Sequence, residues 1–76
     1  MTKQEWMELF GDNLKKLMDE RGMSGKELAT KTYMSPATIS KYINKKQAPK
    51  PKAIINMSLV LGVPIKDLIG FTNHID

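Results

Sequence analysis

Residues 24–46 read SGKELATKTYMSPATISKYINKK, and their punctuation describes two short helices joined by a tight turn. Ser24 and Glu27 have the spacing of a capping box, in which each side chain satisfies a backbone N–H exposed at the helix start. The helix they open covers about 24–31, with Leu28, Ala29 and Thr32 on its inner face. Ser35-Pro36 opens the second helix, over about 35–43. Serine caps an exposed N–H, and proline at the first helical position loses no hydrogen bond. Proline also pushes the residue before it toward extended geometry, which an N-cap already has. Ile39, Tyr42 and Ile43 are the apolar positions of this helix; its other positions are small or polar, and lysines follow.

Working outward, Thr2 and Glu5 form another capping-box pattern. Trp6, Phe10, Leu14, Leu17 and Met18 then recur at helical spacing as far as Gly22, which closes a first helix over 3–21. After the central pair comes a basic loop broken by prolines, NKKQAPKP, at 44–51. A fourth helix covers 51–61, with Ile54, Met57, Ser58 and Leu61 inward, and Gly62 stops it. Pro64 starts a short fifth helix over 64–69 that ends at Gly70, leaving a tail, 71–76. No useful length of strand-like alternation appears. The expected fold is all-α, a compact five-helix domain in which helices two and three form a helix-turn-helix.

The 76 residues are enough for one small domain, and no second one that senses a ligand is expected within them unless they are a fragment of a longer protein. There are no cysteines, so neither disulfides nor a thiolate metal site can support the core. His74 is the only histidine, and without clustered carboxylates no metal site is expected. No nucleophile, base and orienting group form a catalytic set, no Gly-rich phosphate loop is present, and no cofactor is implied. No apolar run approaches a membrane span, and the N-terminus, MTKQEWMELF, mixes charges into its apolar residues as no signal peptide does. The expectation is a cytoplasmic protein, not an enzyme. The net charge is +4, and its distribution is uneven. Residues 28–66 hold seven lysines and no acid, whereas 1–27 hold five bases and six acids. An acid-free stretch of that length overlapping a helix-turn-helix points to a polyanionic partner.

The chain resembles the Cro and phage-repressor (lambda-repressor-like) helix-turn-helix family over roughly 10–70. The residues that carry the likeness are Leu14, Leu17, Arg21-Gly22-Met23-Ser24, Glu27-Leu28-Ala29, Ser35, Thr38-Ile39-Ser40, Asn44, Pro49, Leu61-Gly62-Val63 and Asp67-Leu68. The family usually reads RGLSQEELA, a turn, S-x-x-TIS-x-IENG and a closing LGVS-x-DEL. The chain departs from the family in four respects. Gly25 replaces a Gln that contacts phosphate, Tyr33 replaces the glycine of the turn, and Lys45 replaces the glycine of IENG. Met18 and Ile43 stand where the family pairs an Arg with the Glu of IENG, so an apolar contact is expected in place of an ion pair. Since a bulky residue at positive φ is unfavourable, the turn at Tyr33 should differ or carry strain.

The resemblance implies double-stranded DNA as partner, with the helix over 35–43 in the major groove. Its expected base-reading residues are Pro36, Ala37, Thr38, Ser40 and Lys41, with Lys41 the guanine reader. Phosphate contacts are expected from Asn44, Lys45, Lys46, Gln47 and Lys50, with Lys52 farther out, joined by Lys26, Tyr33 and the backbone N–H of Gly25. Ile55, Leu59, Ile65, Ile69 and Phe71 form an apolar set beyond what a lone small domain needs, with Val60 beside it. They suggest a homodimer that places two such helices about one DNA turn apart on a pseudo-palindromic operator. The expected function is a repressor of the phage or mobile-element kind that blocks a promoter sterically. One alternative is an antitoxin-type regulator whose C-terminal apolar surface grips a toxin. Another is a protein-interaction module that kept the fold and lost DNA binding.

Overall fold

The first helix, α1 (Lys3–Arg21), starts where Thr2 and Glu5 cap each other. The Thr2 amide donates to Glu5 Oε1 at 2.8 Å and the Glu5 amide to Thr2 Oγ1 at 3.1 Å. Four further helices follow in the computed structural model, which describes residues 1–70: α2 (Gly25–Thr32), α3 (Pro36–Ile43), α4 (Pro51–Leu61) and α5 (Ile65–Ile69). α2, α3 and α5 each begin one residue later than the sequence suggests. Ser24, Ser35 and Pro64 have extended backbones and stand outside the helix as N-caps. The second capping box is only half formed. Ser24 Oγ accepts from the Glu27 amide at 3.0 Å, but the Glu27 carboxylate turns forward to Lys31 at 3.2 Å.

Every helix contributes to one core. Phe10 and Leu14 of α1, Leu28 of α2, Ile39 of α3, Met57 of α4 and Leu68 of α5 are fully buried. Leu28, Ala29 and Thr32 form the inner face of α2 as expected, and Thr32 satisfies its buried hydroxyl on Leu28 O at 2.7 Å. Trp6 is only half-buried; it packs at the core's edge, 5.9 Å from the Phe10 ring. Phe10 in turn meets Tyr42 of α3 edge-on at 5.7 Å, an arrangement aromatic quadrupoles favour. Met18 is buried and Ile43 packs against the core, so the family's ion-pair positions here lie on apolar ground.

Two side chains of α1 make polar contacts to the last helices. Asn13 is buried on α1, and its Nδ2 donates to Leu68 O at 2.8 Å and Gly70 O at 2.9 Å. Arg21 Nε donates to Leu61 O at 2.7 Å, satisfying a carbonyl that the end of α4 leaves without a helical partner.

α1, α2, α3 and α4 all close in the same way. Beyond each helix one residue adopts a left-handed conformation, and the next amide reaches back to a carbonyl of the last turn: Met23 to Met18, Met34 to Ala29, Lys46 to Lys41 and Val63 to Ser58. The left-handed residues are Gly22, Tyr33, Lys45 and Gly62. Two are the glycines this closure favours, and two are not.

Candidate nucleic-acid interface

The α2–α3 pair is set by the turn between the two helices. Tyr33 sits there at φ 60 and ψ 34, with its backbone N–H directed to Ala29 and Thr30. The turn therefore keeps the geometry that a glycine would take, and Tyr33 bears the strain. Its side chain is 95% exposed, so no packing contact accounts for its presence.

α3 is fixed from below by Ile39 and Tyr42, both buried. Its opposite face carries Ala37, Ser40, Lys41 and Asn44, all exposed at helical spacing. Pro36 is exposed at the start of the helix. Of the expected base-reading residues, Thr38 is the least available. It is half-buried, and its hydroxyl is 2.9 Å from Ser35 Oγ inside the N-cap. Ser40 Oγ accepts from Asn44 Nδ2 at 3.1 Å, so these two exposed side chains brace each other. Lys41 extends without a carboxylate partner among the described residues.

The expected phosphate contacts divide into groups. Lys26, Lys46 and Lys50 are exposed and unpaired among the described residues, and Gln47 is half-buried. Lys45 differs. Its Nζ lies 2.8 Å from Asp12 Oδ1 on α1, and this hydrogen bond and the Asp12 charge raise its pKa above the ordinary lysine value. Gly25 lies over Ile39: a Cβ there would meet Ile39 Cγ2 at 3.7 Å, an ordinary contact.

Two residues of this region escape sequence reasoning. Gly11, in the middle of α1, lets α3 approach so closely that a Cβ would lie 2.7 Å from Tyr42 O. A glycine inside a strong helical pattern is the signal that marks such an approach. Asp12 faces Lys45 across 33 positions of sequence, with no local signal.

Away from α3, Ile55, Leu59, Ile65 and Ile69 are exposed, Leu59 to 73%, while Val60 is half-buried against the core. Phe71 of the same set and His74 lie outside the described residues. No group of His, Asp or Glu among the described residues is arranged to hold a metal ion, and no helix among them is long and apolar enough to cross a membrane.

Residues 14–68 match the helix-turn-helix family. The uncharacterised HTH-type transcriptional regulator RghRB of Bacillus subtilis is 39% identical over 70 residues, covering 91% of this chain and 50% of that protein. The HTH-type transcriptional repressor RghR of the same organism is 35% identical over 71 residues, covering 92% and 53%. The chain thus spans about half the length of these curated relatives. Among solved structures, the SOS-response transcriptional repressor LexA from Eubacterium rectale superposes with a TM-score of 0.88 at 21% identity, covering 100% of this chain and 82% of that one. A hypothetical transcription factor, NHTF, from Neisseria gives 0.82 at 22% identity, covering 91% and 79%. At such identities the two structures speak for the fold alone.

Proposed function

This chain belongs to the Cro/C1-type, lambda-repressor-like helix-turn-helix family, and we propose that it is a sequence-specific DNA-binding transcriptional regulator that represses by steric block of a promoter. The observation that carries this reading is the outer face of α3. It presents Ala37, Ser40, Lys41 and Asn44 to solvent and runs into Lys46 and Lys50, all without a carboxylate partner among the described residues. The repressor relative RghR, 35% identical, supports the direction of regulation.

In this reading α3 enters the major groove and Lys41 reads a base edge, while Ala37 and Pro36 offer apolar contact to a thymine methyl. Asn44, Lys46, Gln47 and Lys50 track the phosphates beyond α3, with Lys26 and the backbone N–H of Gly25 at the start of α2 and Tyr33 at the turn. The reading face has one long cation and no Gln or Arg for bidentate contacts, so DNA shape and half-site spacing share the discrimination. Ile55, Leu59, Ile65 and Ile69 make the surface of a two-fold dimer, with Phe71 alongside them in sequence, and a dimer reads a pseudo-palindromic operator of the phage or mobile-element kind.

With Lys26, Lys46 and Lys50 each neutralising one phosphate, a dimer covers about six, and log K against log salt falls with a slope of about −5. Fluorescence anisotropy on random and selected duplexes tests the roles. Lys41→Ala should reduce discrimination between bases by about 1–3 kcal/mol, whereas Lys46→Ala should weaken all sequences alike and reduce the slope by about 1. Salt-insensitive binding by the unaltered chain would instead favour a protein-interaction module, and copurification of a small partner bound at the α4–α5 surface would favour an antitoxin-type regulator. Sedimentation showing only monomer at high concentration, with and without operator DNA, would rule out the dimer.

A further inference from the structure

The sequence Asn44-Lys45-Lys46 reads as three equivalent polar residues at the end of α3, but the fold separates them. Asn44 and Lys46 are exposed, while Lys45 is directed back across α1. Three features produce this. The left-handed backbone at Lys45, φ 62, turns its side chain away from its neighbours. Gly11 offers no side chain, so the lysine stem crosses α1 there, its Cγ 3.2 Å from where a Cβ would lie. Asp12, the next residue of α1, receives the ammonium at 2.8 Å. Glu8, one helical turn earlier, adds its negative field to the same ammonium.

Resting on the DNA-binding reading above, we infer that Asp12 is a positioning residue that holds Lys45 out of the phosphate contacts and so lowers the affinity for DNA of any sequence. The electrostatics give the direction. A lysine neutralises a phosphate by displacing condensed counterions from the DNA, and an ammonium already paired to a carboxylate brings no net charge to that exchange. For Lys45 to reach a phosphate it must leave Asp12, whose carboxylate is 69% exposed and would then face the DNA as an unpaired anion. Non-specific binding is supplied essentially by lysine and arginine contacts to phosphate, so it is the term this pair restrains. Lys41 has no such partner among the described residues and remains free to read bases. Asp12 thus acts through Lys45 and touches no base itself.

The test is a set of anisotropy titrations with a random-sequence duplex at about 50 mM and about 200 mM salt, using the unaltered chain, Asp12→Asn, Lys45→Gln and the double variant. Asp12→Asn should bind more tightly at low salt. Its affinity ratio across that range should grow by about 3.5-fold per protomer, the effect of one added phosphate contact, and a dimer's slope should steepen from about −5 to about −7. Lys45→Gln should leave the slope unchanged, and the double variant should keep that same slope, because without the lysine no phosphate contact is gained. An unchanged slope in Asp12→Asn overturns the assignment. So does a slope that falls by about 1 per protomer in Lys45→Gln, which would mean that Lys45 already holds a phosphate. A slope that steepens in the double variant as much as in Asp12→Asn overturns it too, since loss of the carboxylate would then suffice without Lys45. Salt-insensitive binding by the unaltered chain overturns the DNA-binding reading itself, an outcome distinct from failure of Asp12→Asn alone.

Discussion

Replacing Tyr33 with glycine should stabilise this fold, although it removes the largest side chain of the turn. The side chain is 95% exposed, so its loss uncovers almost no apolar surface. The backbone stays at φ 60 and ψ 34, where an L-residue's Cβ crowds the following carbonyl at a cost of roughly 1–2 kcal/mol. Glycine removes that crowding but adds freedom to the unfolded chain, which costs about 0.4–1 kcal/mol. The net gain is about 0.8 kcal/mol, which for a domain of this size raises the melting temperature by about 3–6 °C. Thermal melts of Tyr33→Gly, Tyr33→Asn and Tyr33→Ala, followed by circular dichroism, separate backbone from side chain. Asparagine visits the left-handed region more readily than most residues and should fall between tyrosine and glycine. Alanine keeps the crowding and loses only the ring, so it should melt close to the unaltered chain, within about 0.5 kcal/mol. The reasoning fails if alanine stabilises as much as glycine, because the ring and not the φ angle would then be the source. It also fails if Tyr33→Gly melts lower. The same three proteins then report on function. Should the phenol contact phosphate, glycine and alanine would weaken DNA binding equally while only glycine raises the melting temperature. Strain kept for a contact gives that pattern, and strain without purpose does not.

Two further substitutions probe the interface from below and from the side. Gly11→Ala gains up to about 1 kcal/mol of helix propensity, but its Cβ would press within 2.7 Å of Tyr42 O, and such overpacking costs about 1–3 kcal/mol. Urea unfolding should show a net loss of about 1 kcal/mol, and DNA affinity should fall because α3 must shift; a more stable protein would mean that α1 and α3 separate freely. Gly25→Gln restores the family's residue at the start of α2, where a Cβ would meet only Ile39 Cγ2 at 3.7 Å. Anisotropy should show DNA affinity rising about two- to ten-fold, the worth of one added hydrogen bond, with the melting temperature no lower, and an unchanged affinity would place the N-terminus of α2 away from phosphate.

The five helices were legible because each one is announced locally. Thr2, Ser24 and Ser35 cap three of them, prolines open α3 and α4, and apolar residues recur at helical spacing between these marks. The helix closures were half legible. Gly22 and Gly62 advertise theirs, but Tyr33 and Lys45 adopt the same left-handed backbone without the residue that favours it. There the geometry is imposed from outside the turn. Met34 N must reach Ala29 O and Lys46 N must reach Lys41 O while Ile39 and Tyr42 stay seated in the core. A few kcal/mol of packing outweighs the strain at one residue. Asn13 was not legible at all. An asparagine inside a helix usually faces solvent, and its two acceptors, Leu68 O and Gly70 O, lie more than 50 positions away in the chain.

The charge reading shows a similar limit and has a functional consequence. Residues 28–66 contain no acid in sequence, but they are not free of acid in space. Of their seven lysines, Lys31 is paired with Glu27 at 3.2 Å and Lys45 with Asp12 at 2.8 Å, both carboxylates belonging to the preceding segment. The two pairs differ in kind. Lys31 and Glu27 are four residues apart on one helix with half-exposed side chains, so that contact exchanges readily with water and salt. Lys45 joins two helices: its left-handed backbone and the gap at Gly11 direct it onto Asp12 of α1. A count along the chain therefore overstates the unpaired positive charge, and part of the excess lies at the end of α3, where on the proposed reading it would favour binding without regard to sequence. With Lys45 paired, Lys41 on the exposed face of α3 and Lys46 just beyond the helix in sequence have no carboxylate partner among the described residues. On the proposed reading, in which one reads bases and the other grips the backbone, Lys41→Ala and Lys46→Ala should have separable effects.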